Sequence, residues 1–268
     1  MKSYKLVGLG PQKVLLFPGL MGTQDAFDDM LKYADVERFQ YAIVDYRGYG
    51  ASKNLEGLFT LREAVVDTCK LVEFLGWRQF AVGGHSLGAL AAQMLAIAMP
   101  HRVFAIVSIA GVSSKGATHD PARVELMQAA ANSPEKRELI ATSGTANRYS
   151  TAFAHAVVAA TFDKINPTAF ASYANDARRT DVSEEVKKLS TPILALVGEH
   201  DPACSERTAR ETTAKFYQTA EIQVIAGAGH YPIYETPVLT INAIERFIGQ
   251  FADQDPDAAV RPEVSEHA

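Results

Sequence analysis

Six short apolar runs recur along the chain, at 14–17, 41–44, 80–82, 104–109, 193–197 and 222–225, with helical patterns between them. Strands alternating with helices need crossover connections, so the pattern predicts an α/β fold whose mostly parallel central sheet is flanked by helices. Most of these runs are continuously apolar rather than alternating, as expected of strands covered on both faces.

The helices carry start and stop signals. Thr60-Leu61-Arg62-Glu63 is a capping-box pattern, Leu61, Val65, Cys69 and Val72 follow at helical spacing, and Gly76 supplies the stop. Thr236 before Pro237 reads as a cap with proline at the first helical position, opening a stripe of Val238, Ile241, Ile244 and Ile248. Residues 112–188 break the alternation. They hold no convincing strand but have helix-favouring pieces at 122–131, 151–161 and 167–177, which predicts a helical insertion between two strands. From 251 onward the chain is polar and proline-containing with no apolar period, and reads as a disordered tail. The expected organisation is one discontinuous core, 1–111 and 189–250, with a cap at 112–188 and a tail at 251–268.

Composition narrows the function. The 268 residues are 47% hydrophobic and 21% charged, an ordinary globular balance. A formal net charge of −5 leaves no basic excess to neutralise phosphates, which disfavours nucleic-acid binding. Cys69 and Cys204 are too few for a disulfide framework, and no CxxC spacing suggests a metal cluster. The start of the chain lacks a signal-peptide apolar region and no run is long enough to span a membrane. The expectation is a cytoplasmic protein with a small-molecule substrate, no membrane partner and no metal or organic cofactor.

Chemistry enters at Gly84-His85-Ser86-Leu87-Gly88, a G-x-S-x-G between an apolar strand and an apolar helix. The sharp turn strains the serine backbone and lifts its hydroxyl to the top of the sheet, and glycine on either side relieves the crowding. A serine hydroxyl needs a base, and the base an orienting acid. Asp201 follows the 193–197 run, and His230 follows the 222–225 run, so both fall at the same edge of a parallel sheet as Ser86. The order Ser86, Asp201, His230 is that of a nucleophile, acid and base on this type of sheet. Backbone N–H groups of Leu87 and of Leu20, in the loop Phe17-Pro18-Gly19-Leu20-Met21-Gly22, are the candidate oxyanion donors.

Through these motifs the chain resembles the α/β-hydrolase superfamily from about residue 12 to residue 250. The turn Asp45-Tyr46-Arg47-Gly48-Tyr49-Gly50-Ala51-Ser52 matches the superfamily's D-x-R-G-x-G-x-S. Gly198-Glu199-His200-Asp201-Pro202 and Gly227-Ala228-Gly229-His230, with Glu235 and Pro237 following, complete the set. The chain departs from most relatives in having Pro18-Gly19 where they have His-Gly. The resemblance implies that 112–188 caps the active site. A serine at 86 also excludes the dehalogenase and epoxide-hydrolase branches, which use aspartate, and Gly22-Thr23 with the D-x-R-G turn is similar to the enol-lactonase and small-ester branch.

The resulting expectation is a serine hydrolase cleaving a carboxylic ester, lactone or thioester of a small to medium apolar substrate, with an acid limb near pH 6.5 if His230 is unperturbed. The rival readings are a carbon–carbon bond hydrolase, an acyltransferase, and a ligand-binding receptor that has lost turnover. Met21, His85, Phe153, Phe162 and Tyr231 are the expected substrate contacts. Phe170 and Tyr173 read as either pocket or core, Cys204 as a small buried filler, and Asp45 with Arg47 as a pair that fixes its turn.

Overall fold

The computed structural model describes residues 3–251, so the expected tail lies outside the described residues except for Phe251, which packs edge-on against Phe247. Seven strands form one sheet: β1 (Tyr4–Val7), β2 (Gln12–Phe17), β3 (Phe39–Val44), β4 (Phe80–His85), β5 (Val103–Ile109), β6 (Ile193–Gly198) and β7 (Ala220–Ile225). Their order is β1-β3-β2-β4-β5-β6-β7. Every pairing is parallel except β1 with β3. Six strands contain the six apolar runs. The seventh, β1, is an edge strand whose Lys5 and half-exposed Leu6 leave no apolar run to find.

Within the continuous apolar runs the two-residue period persists, because each face of the sheet has its own core. Leu15, Phe17 and Val82 pack on one side, while Val14, Leu16 and Ala81 pack on the other. The first side is covered by α2 (Leu61–Leu75) and α3 (Leu87–Ala98), the second by α1 (Asp28–Leu31) and, after the last strand, α12 (Pro237–Gly249). Helix α2 has the expected ends: Thr60 Oγ1 accepts from the Glu63 N–H, and Gly76 closes it at φ 67°. The Glu63 carboxylate, however, accepts from Phe59 N–H, one residue earlier than a capping box requires. At α12 the Thr236 hydroxyl makes no cap and turns to the Pro232 carbonyl, and Val238, 44% exposed, lies off the buried stripe of Ile241, Ile244 and Ile248.

Between β5 and β6 stand α4 (Pro121–Ala129), α5 (Pro134–Gly144), α6 (Thr151–Ala159), α7 (Pro167–Arg179) and α8 (Ser183–Val186), with no named strand among the described residues of this stretch. Three of these match the expected pieces, and α5 and the short α8 are additional. The stretch is stitched at its base, where Ala117 N–H donates to Ala177 O and Val182 N–H to Ser114 O. It is also tied to the D-x-R-G turn, since Asn166 N–H donates to Gly48 O. In its interior Arg137, 0% exposed, donates to the Ala130 and Ala131 carbonyls and lies against the rings of Phe162 and Phe170 at 4.6 and 4.4 Å. Beyond β6 come α9 (Glu206–Glu211) and α10 (Thr213–Phe216), and α11 (Pro232–Glu235) precedes α12. Among the described residues no helix is long and apolar enough to cross a membrane.

Candidate active site

Ser86 stands between the end of β4 and the first turn of α3, at φ 53° and ψ −114°. That conformation is costly for a residue with a Cβ and persists only where its surroundings impose it. Here they do: Ser86 N–H donates to Ile109 O on β5, and Ser86 O accepts from Val112 N–H. The flanking glycines are demanded by backbone, not by side chains. A Cβ at Gly84 would lie 2.1 Å from Gly88 O, and one at Gly88 would lie 2.2 Å from Phe17 O.

Asp201 and His230 arrive from the ends of β6 and β7. The fully buried Asp201 carboxylate accepts from the Ala203 and Cys204 N–H groups at 2.9 Å through Oδ1, which leaves Oδ2 for His230 Nδ1 at 2.8 Å. His230 Nε2 then lies 3.0 Å from Ser86 Oγ. Ser86, His230 and Asp201 thus form one continuous hydrogen-bonded relay, an arrangement capable of taking a proton from the serine and holding the imidazolium that results. The histidine loop is clamped on both sides: Glu235 accepts the Gly229 N–H through Oε2 and the Tyr231 N–H through Oε1, both at 2.8 Å. Arg148, from the insertion, neutralises that buried carboxylate at 2.5 Å. His230 N–H itself donates to Gly144 O at the end of α5.

The candidate oxyanion loop is held from below by the D-x-R-G turn. Tyr46 Oη donates to Pro18 O at 2.8 Å, Tyr49 Oη to Leu20 O at 3.0 Å, and Gly22 N–H to Gly19 O at 3.0 Å. A trans peptide carries its C=O and N–H on opposite sides, so engaging Gly19 O turns the Leu20 N–H the other way. Neither the Leu20 nor the Leu87 amide has a hydrogen-bond partner among the described residues, and both residues line a cavity that also contains Ser86. Asp45 and Arg47 fix their turn through separate networks. Asp45 accepts from Gln24 and Ala51 N–H, while Arg47 pairs bidentately with Asp67. Gly50 is obligatory beside them: its φ is +50°, and a Cβ would fall 2.3 Å from Asp45 Oδ2.

A cavity of about 510 Å³ opens over Ser86 and His230, with an adjoining one of about 110 Å³. Met21, His85 and Tyr231 line the larger, as expected. Phe153 and Phe162 line neither of these two cavities. The Phe153 ring backs Tyr231 and Tyr149 beside a separate cavity, and Phe162 lies under the Arg137 guanidinium. Phe170 and Tyr173 are fully buried core. Cys204 is half-buried, lines the cavity, and serves Asp201 through its backbone rather than filling space. Its Sγ, with Asp201 and His230, brings three ligand-type atoms within 4.8 Å of one another, but a cation bound there would compete with the Asp201–His230 hydrogen bond. Residues of the insertion that sequence periodicity did not single out, Arg123, Met127, Ile140 and Val157, complete the lining.

The two histidines are pushed in opposite directions. Burial and the neighbouring His230 lower His85 to about 3, so its ring is neutral across the working range. Its Nε2 is 2.7 Å from His230 O, which can only accept, so that nitrogen carries the proton and Nδ1 is bare. A Cβ at position 19 would lie 2.8 Å from this Nδ1, which accounts for Gly19. Burial also opposes charge on His230, but the Asp201 carboxylate outweighs it and the imidazole is raised above its ordinary value of 6.5. Reciprocally, burial opposes the Asp201 charge, and His230 together with the Ala203 and Cys204 amides holds its carboxyl below the ordinary value.

Sequence comparison matches residues 14–243 to the Alpha/beta hydrolase family. Among characterised relatives, the chain is 27% identical over 256 residues to 2-(acetamidomethylene)succinate hydrolase of Mesorhizobium japonicum, covering 90% of this chain and 89% of that one. It is 25% identical over 209 residues to 3-oxoadipate enol-lactonase 2 of Acinetobacter baylyi, covering 75% and 76%. Among solved structures, a hydrolase from Oleispira antarctica superposes with a TM-score of 0.81 at 18% identity, covering 92% of this chain and 94% of that one.

Proposed function

The chain belongs to the α/β-hydrolase family, and from that premise we propose that it hydrolyses a carboxylic ester, lactone or thioester through an acyl-enzyme on Ser86. The observation that carries this reading is the relay from Ser86 Oγ to His230 Nε2 at 3.0 Å and from His230 Nδ1 to Asp201 Oδ2 at 2.8 Å. The enol-lactonase among the relatives keeps lactones in the substrate class.

In the first half-reaction His230 takes the Ser86 proton as Oγ attacks the carbonyl, and Asp201 stabilises the imidazolium without itself becoming protonated. The N–H groups of Leu20 and Leu87 receive the developing oxyanion, each worth about 2.7–4 kcal/mol in the transition state. The imidazolium then protonates the leaving oxygen or sulfur. In the second half-reaction His230 deprotonates a water that releases the acyl group. The strained turn at Ser86 and the immobilised peptides at 18–22 need no rearrangement as charge develops.

The test is labelling with a fluorophosphonate probe followed by peptide mapping, alongside turnover of short p-nitrophenyl esters by the wild type and Ser86→Ala. Labelling is expected at Ser86, with kcat in the variant lowered by about 10⁶. Labelling at another residue, or ester turnover undiminished in Ser86→Ala, would reject the mechanism. Ligand binding without turnover would leave a receptor on a hydrolase fold.

A further inference from the structure

We propose that the cavity selects a substrate carrying a free carboxylate, held by the guanidinium of Arg123 while the scissile carbonyl lies at Ser86. This deepens the hydrolytic reading above and rests on it. The larger and smaller cavities meet at Ser86, and Leu20, Met127 and Arg123 line both. Arg123 therefore sits at the junction of the two spaces that a substrate's parts would occupy.

The charge of this junction runs against that of the chain. The net charge is −5, yet among the described residues no Asp or Glu lines either cavity, whereas Lys115, Arg123 and Arg178 do. Arg123, like Arg137 and Arg178, has no carboxylate partner among the described residues. Arg47, Arg102, Arg148, Arg207 and Arg210 each pair with a carboxylate. Among the described residues the Arg123 guanidinium donates to Ser143 Oγ alone, at 3.3 Å, while the Asp120 carboxylate, three residues earlier, accepts the Arg123 backbone N–H. A half-buried guanidinium facing a cavity without a counter-ion is a site for an anion.

The donor set favours a carboxylate over a phosphate. One planar fork satisfies the two oxygens of a carboxylate, and Arg178, which donates to Asn175 Oδ1, lines only the smaller cavity and not the junction. Lys115 is exposed at the mouth, near the Phe216 ring at 5.4 Å, where it can attract an anion without fixing it. Of the other residues that line both cavities, Leu20, Val112, Ala117 and Met127 are apolar and suit a short carbon chain between carboxylate and carbonyl, with Thr118 the one polar side chain besides Ser86 and Arg123.

The experiment compares p-nitrophenyl hexanoate with the mono-p-nitrophenyl ester of adipic acid, which have equal chain length and differ in the terminal carboxylate. The adipate ester should have the higher kcat/KM in the wild type, by about tenfold or more. Arg123→Gln should bring the ratio close to one, and Arg123→Lys, which keeps charge but loses the fork, should give an intermediate ratio. Independently of any variant, glutarate should inhibit hexanoate hydrolysis competitively and glutaramide should not. A wild-type ratio at or below one, equal inhibition by the two glutaric compounds, or an unchanged ratio in a folded Arg123→Gln would overturn the assignment. So would preference for an equal-length ester ending in phosphate. Fluorophosphonate labelling of Ser86 with a ratio of one removes only this inference, whereas no labelling and no turnover of either ester removes the hydrolytic reading with it.

Discussion

The site is built from two regions that are held in different ways. On the sheet side, Ser86 and Asp201 sit at strand ends fixed by backbone hydrogen bonds to neighbouring strands and loops, and the glycines around them are packed against main chain. On the insertion side, α4 buries no residue completely, yet it supplies Arg123 and Met127 to both cavities. Ser86 and Asp201 thus belong to a part tied by backbone hydrogen bonds, and part of the cavity lining to α4, a helix with no buried residue. Chemistry and selectivity can then change separately, as long as changes to the insertion do not reach the relay.

The largest test of this division is Asp201→Asn. It removes the charge that raises His230 and the acceptor for Nδ1–H, so kcat should fall by about 10⁴ while the fold persists. Its pH dependence carries a sign. His230 must be neutral to act as base, and Asp201 raises its pKa, so the wild-type acid limb should lie above 6.5, and the residual activity of Asp201→Asn should have its limb at lower pH. A limb that does not move would mean that Asp201 does not set the base.

The next is a matched pair of glycine substitutions. In Gly88→Ala the new Cβ meets Phe17 O at 2.2 Å, a strand carbonyl that cannot move, and a loss of about 4 kcal/mol or more is expected in denaturant unfolding. In Gly144→Ala it meets Tyr231 Cε2 at 3.0 Å and His230 Cβ at 3.1 Å, side-chain atoms that can give by a few tenths of an ångström, and a loss of less than about 2 kcal/mol is expected. Equal losses would erase the contrast. A smaller loss than that of Gly88→Ala is expected for Arg137→Met, which drops two hydrogen bonds inside the insertion but also a buried charge without a carboxylate partner. Stability should fall by about 1–3 kcal/mol, with KM affected more than kcat. A kcat loss as large as that of Asp201→Asn would show that the insertion is as much part of the reacting centre as the sheet.

The same contrast decides what could be read from the sequence. The sheet was legible because β2, β4, β5 and β6 are covered on both faces and so appear as unbroken apolar runs, and Ser86 and Asp201 because each follows such a run, whereas His230 follows the partly exposed edge strand β7 and was legible from Gly227-Ala228-Gly229-His230. Edge strand β1 has one solvent side and no such run. Helix α5 stayed hidden for a different reason: one of its few buried positions is an arginine, which erases the apolar period. Its signal was Ser133-Pro134-Glu135, a cap with proline and an acid in the first turn. Phe153 and Phe162 lie outside the two cavities at Ser86, which the sequence did not indicate because aromatic residues on helices give no orientation until a partner such as Arg137 is known. The Tyr46 and Tyr49 phenols occupy the free positions of the D-x-R-G motif, so nothing in the pattern marked them as supports of the loop at 18–22.

One bond between the two regions bears on substrate traffic. His230 N–H donates to Gly144 O, and Arg148 reaches from the same part of the insertion to Glu235, which holds the peptides on either side of that histidine. A lid swinging open as one body would pull on the base at every turnover. Helix α4, with no fully buried residue and no comparable tie to the histidine loop, can shift without disturbing the relay. Entry and exit past α4, with α5 and its trailing loop stationary, would let the enzyme exchange product for substrate with the proton-transfer geometry still assembled.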